Sequence, residues 1–174
     1  MRKFSFLFLV SLILLNACKS SVDSEQRTWK NNVQNLEKLK TQYPSLAKIL
    51  DTKLQDAQKV YKEAEGISDE KQKMEKMGEA NKVLDTQFIR DLSSVEYKIK
   101  SIEKEMEKIS KKKFSKSSLS KVNDGMQKAS SLISSVKNHL SQSADETTLA
   151  GILRTDIGDL ISMESKLRTL AKSK

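Results

Sequence analysis

The chain has 174 residues, a formal charge of +9, 32% charged residues and only 5% aromatics. With one proline and five glycines, this composition argues against a β-sandwich or an enzyme-like α/β fold and for long amphipathic helices. The single cysteine, Cys18, excludes an intrachain disulfide, so stability rests on packing.

Arg2 and Lys3 open the chain, and an apolar run from Phe4 to Leu15 follows, broken only by Ser5 and Ser11. That run is too short for a permanent bilayer span and has the layout of an export signal. Leu15-Asn16-Ala17-Cys18 closes it. This stretch resembles the lipobox of bacterial lipoproteins: Leu15 supplies the branched apolar residue, Ala17 the small one and Cys18 the thiol, while Asn16 departs from the more usual Ala or Ser. The resemblance implies that residues 1–17 are a signal peptide cut before Cys18. It also implies that Cys18 carries a diacylglyceryl group and an acylated amine, palmitate being typical, as a membrane anchor. Lys19 stands where an Asp would retain such a protein in an inner membrane, which favours an outer membrane in a cell that has one. Residues 18–24 then form a lipidated tether, and 25–174 a single helical-bundle domain.

Asp23 and Gln26 have capping-box spacing, which starts a helix near Ser24. Its seam is Trp29, Val33, Leu36, Lys40, Tyr43, Ala47, Leu50, Leu54, Ala57, Tyr61 and Ala64, with steps of four and three that mark a heptad. Lys40 is the one charged member, its stem able to snorkel. Pro44 falls inside the run without disturbing the register, so the spacing predicts one helix kinked near Pro44. Gly66 ends it, and Ser68 caps a second helix over 69–113. The second seam runs Met74, Met77, Asn81, Leu84, Phe88, Leu92, Val95, Ile99, Ile102, Met106, Ile109, with a stutter around Phe88. After a turn at Lys113-Phe114-Ser115, the third seam is Leu119, Val122, Met126, Ala129, Ile133, Val136 and Leu140. Ser143 and Glu146 read as a second capping box. The fourth helix carries Leu149, Leu153, Ile157, Leu160, Leu167 and Leu170, with Ile152, Ile161 and Met163 widening its apolar face.

Short connections between long helices predict an all-α, up-down-up-down antiparallel bundle with coiled-coil hairpins, about four helices in all. The narrow first and second seams suit either a projecting hairpin or a coiled-coil dimer, and oligomeric state stays open. In this topology the 110–116 turn and the C-terminus return to the Cys18 end, and the 65–69 and 141–146 turns lie at the far end. The Cys18 end then collects Lys108, Lys111, Lys112, Lys113, Lys116, Lys121, Lys166, Arg168, Lys172 and Lys174, as possible contacts to a membrane or a polyanion. Acids at helix starts and bases at helix ends also complement the helix dipole, at about 0.3–1 kcal/mol each, and that alone accounts for much of the pattern.

Chemistry-bearing constellations are sparse. His139 is the only histidine, and with Cys18 lipidated no zinc, copper or iron site can be assembled, so no cofactor is expected. The acids at helical spacing read as a solvated face mostly paired with lysines, with no paired carboxylates evident on a buried face. Gly151 and Gly158 read as close helix-packing positions, and the methionines as core. The export signal and the lack of aromatics among the basic clusters argue against nucleic acid. The expected function is a membrane-tethered, non-enzymatic scaffold or interaction module of the cell envelope with a protein partner. One alternative is a surface-exposed lipoprotein binding a polyanion, anionic lipid, polysaccharide or host protein. Another is a helical inhibitor or immunity-like protein for an envelope enzyme.

Overall fold

A computed structural model describes residues 21–142 and 145–172, and every described element is helical. The helices are α1 (Val22–Gln42), α2 (Ala47–Glu65), α3 (Glu70–Leu84), α4 (Gln87–Ser110), α5 (Lys116–Ser141) and α6 (Glu146–Leu170), with a 3-10 turn at Pro44–Leu46. Five of them start with a side-chain cap. Ser21, Asp69, Thr86, Ser115 and Asp145 each accept from the backbone N–H three residues on, satisfying a donor the helix itself leaves open. The caps at Ser21, Asp69 and Asp145 replace the expected starts at Asp23, Ser68 and Ser143; Ser143 lies outside the described residues.

Among the described residues six helices stand where about four were expected, because two long seams are each cut once. The larger correction is at Pro44. The residue before a proline is pushed out of the helical region, and Tyr43 sits at φ −125°, ψ 73°. Its N–H closes α1 on the Leu39 carbonyl at 2.8 Å, and Pro44 opens the tight turn. The chain then reverses instead of kinking. Trp29 and Tyr61 stack with ring centroids 4.4 Å apart, whereas one continuous helix would hold them about 48 Å apart. The second cut is at Asp85-Thr86, next to the stutter at Phe88. Here the direction persists: α1 runs parallel to both pieces, with Asn81 bonded to Glu25, Asn35 to Ser93 and Lys38 to Glu96.

Two three-helix groups result. In the first, α2 packs antiparallel against α3, and α1 lies along α3 and the start of α4. In the second, α6 packs along α4 in parallel and α5 returns antiparallel to α6. They meet where Ser45 donates to the Leu140 carbonyl at 2.6 Å. One apolar cluster runs through both groups, from Leu36 and Leu50 through Leu92 and Ile102 to Leu140, Leu153 and Leu167.

The reversal also changes which ends coincide. α1 starts beside Gly78 and Asn81, at the end that holds the 66–69 turn. The 110–116 turn and the end of α6 lie at the opposite end, about 40 Å further along α4 from the level of Asn81. The start of α6 lies midway, where Glu146 pairs with Lys53 of α2 at 2.8 Å. The start of α1, expected at the same end as the 110–116 turn, therefore lies at the opposite end.

Candidate functional site: a basic tip

The tip is built from the end of α4, the 111–115 connection, the first turns of α5 and the end of α6. Lys112 ties these pieces together by donating to the Ala171 carbonyl, an acceptor that α6 leaves open at its C-terminus. Of the other expected contacts, three are already engaged. Lys108 pairs with Glu105 at 2.7 Å, Lys111 with Glu107 at 2.5 Å, and Arg168 with Glu164 at 2.5 Å. The Lys111 ammonium holds the exposed Glu107 carboxyl below the usual range. Lys113, Lys116, Lys121, Lys166 and Lys172 are exposed and make no ion pair with the described residues. Cys18 and Lys174 lie outside the described residues.

Two openings flank the first half of α5. One, of about 270 Å³, is lined by Ile109, Lys112, Phe114, Leu119, Val122 and Met126, with Leu119 46% exposed. The other, of about 490 Å³, runs between α5 and α6 past Lys121, Gly125, Met163, Lys166 and Leu170. Gly125 is the glycine that allows close approach: a Cβ there would sit 2.4 Å from Leu170 Cδ1. Gly151 and Gly158, expected to serve that purpose, face open space.

The structure also places charge where a solvated face was expected. Asp91, Glu96, Glu105, Asp156 and Glu164 are all buried. Glu164 accepts from Lys98 at 2.8 Å and Ser101 at 2.7 Å, which hold its carboxyl below the usual range. Burial raises the Glu96 carboxyl, but the bonds from Lys100 and Lys38 together outweigh it and leave the group lowered. Asp156 faces His139 Nδ1 at 3.1 Å, so the lone histidine has a structural partner across α5 and α6. Beside Glu96 a cleft of about 390 Å³ opens at the junction of the two groups, lined by Tyr43, Lys100, Glu103 and Lys137. Burial pushes the Tyr43 hydroxyl up to about 12, so it stays protonated at neutral pH. Charges in this cleft are balanced, with Lys137 on Glu103 at 3.3 Å, whereas those of the tip are not.

Among the described residues, no cluster of three His, Cys, Asp or Glu side chains could hold a metal ion, and no helix is long and apolar enough to cross a membrane. Comparison of the chain with family models, curated proteins and solved structures finds no match.

Proposed function

We propose that this chain is a non-enzymatic, membrane-tethered lipoprotein of a bacterial cell envelope, held at Cys18, that presents its basic tip to a polyanion. One observation carries this reading. α1 starts at one end of the molecule, and the 108–123 stretch, which holds Lys108, Lys111, Lys112, Lys113, Lys116 and Lys121 and no acid, lies at the other. A tether of a few residues before Ser21 keeps the start of α1 near the anchoring surface and turns Lys113, Lys116, Lys121 and Lys166 outward. This favours the external-polyanion alternative over basic residues lying on the anchoring membrane. Phosphate-rich or acidic polymers of an envelope, or an opposing anionic surface, fit the tip by charge.

The test has two arms. Intact mass and membrane fractionation of the chain beside Cys18→Ser read the anchor; acylation of Cys18 and a membrane location lost in the variant are expected. Binding to inorganic polyphosphate across a salt series reads the tip. Reversing Lys113, Lys116, Lys121 and Lys166 to Glu is expected to weaken it about a hundredfold or more, at about 1 kcal/mol per base near an anionic surface. An unmodified Cys18 overturns the tether. Polyphosphate binding that ignores the reversals overturns the tip.

A further inference from the structure

The groove between α5 and α6 is not uniformly polar. Its floor is Met163 and Leu170, and the absence of a side chain at Gly125 lets Leu170 lie directly against α5. Its rim carries Lys121 and Lys166, neither of which pairs with a carboxylate of the described residues. Asp124, the one acid in the lining, is taken by Lys128 at 2.7 Å, so the groove as a whole is positive. Its volume, about 490 Å³, falls in the range of roughly 300–1,000 Å³ typical of small-molecule sites.

An apolar floor under a cationic rim selects a ligand divided the same way. A hydrated polymer of phosphates would satisfy the lysines and leave Met163 and Leu170 against water. A neutral alkyl chain would cover the floor and leave the lysines unused. We infer that the α5–α6 groove binds a single-chain anionic amphiphile, its alkyl chain on Met163 and Leu170 and its phosphate or carboxylate head between Lys121 and Lys166. The inference rests on the reading of the basic tip as the binding end and names the ligand class for it. Burial of the chain supplies affinity and the lysines supply the choice of head group.

The experiment titrates the full chain with dodecyl phosphate below its micelle concentration, with dodecyl maltoside and inorganic polyphosphate in parallel. The Met163 methyl is followed by NMR and affinity by calorimetry. Dodecyl phosphate is expected to saturate with a shift at Met163, and Lys121→Glu with Lys166→Glu to weaken it about tenfold. Ser165→Trp, an exposed position on the groove wall, keeps both lysines and is expected to abolish the Met163 shift with the helical circular dichroism unchanged. If polyphosphate binds but dodecyl phosphate gives no saturable shift, the amphiphile site is overturned and the basic-tip reading stands. Equal binding of dodecyl maltoside overturns the role of the rim lysines and with it the inference. Failure of both polyphosphate and dodecyl phosphate overturns the inference together with the reading beneath it.

Discussion

The two three-helix groups are held by different chemistry. In the first, α1 is fixed by amides and rings: Asn81 donates to the Glu25 carbonyl at 3.0 Å and to its carboxylate at 2.8 Å, Asn35 donates to Ser93 at 3.1 Å, and Trp29 stacks on Tyr61. In the second, buried charges join the helices: Glu164 gathers Lys98, Ser101 and Arg168, and Asp156 holds His139. Buried charge is costly unless paired, so the second group depends most on its partners and on pH, while in the first group a single buried carboxylate, Glu96, meets α1 through Lys38.

Core truncation gives the largest effect. Leu153→Ala, at a fully buried position of α6, is expected to cost about 2–5 kcal/mol in urea unfolding. Trp29→Ala, half-buried in the first group, is expected to cost about 1–3 kcal/mol. Because one apolar cluster joins the groups, each variant should move a single transition. Two separated transitions would show that the groups melt independently.

Next comes the charge difference itself. Lys98→Met leaves Glu164 buried with only Ser101 and Arg168, an expected loss of about 1–3 kcal/mol. Adding Glu164→Leu should recover much of it, because the stranded charge is then gone. A double variant less stable than Lys98→Met would show that the pair contributes more than its removal can restore.

The pH dependence has a definite sign. The carboxyls of Glu96 and Glu164 are lowered in the folded chain, against about 4.3 when unfolded. Their contribution is therefore present above about pH 4.3 and is lost as pH falls through their folded values. Urea midpoints measured downward from pH 5 should drop in the parent chain, and Glu164→Gln should make that drop shallower. The smallest effect is at the joint: Ser45→Ala removes the bond to the Leu140 carbonyl and should cost about 1 kcal/mol.

Much of the core was legible. Leu36, Leu50, Ala57, Met77, Leu92, Ile102, Val136, Leu153 and Leu167 were all read from the seams, and all are buried. The reversal at Pro44 was not, because steps of four and three continue across it: a kinked helix and a folded-back pair place the same residues inward. Its cost shows at the hinge. Leu39 and Leu46, off the seam, are fully buried, while Lys40, on the seam, reaches out to Asp51 of α2 at 2.5 Å. The buried acids sit one position from seam residues, as Glu96 does beside Val95. Half of their pairing is local, as in Glu96 with Lys100 and Glu164 with Arg168. The other half comes from Lys38, Lys98 and His139, whose approach depends on a topology that spacing does not encode. The tip lysines were legible as a set, but the engagement of Lys112 was not, since it is taken by the Ala171 carbonyl, a group brought to it only in the folded chain.

The fold-back at Pro44 also sets how the molecule would carry load. With a pull applied at the start of α1 and at the 110–116 turn, the force runs along the helix axes. α1 is then drawn lengthwise against α3 and α4. The bonds of Glu25, Asn35 and Lys38 to Asn81, Ser93 and Glu96 are strained together in shear, not peeled one after another. A single continuous first helix with its tether at the basic end would place both attachment points side by side and let the same contacts unzip. Resistance to forced extension is thus a property of one proline and the direction in which the chain leaves it.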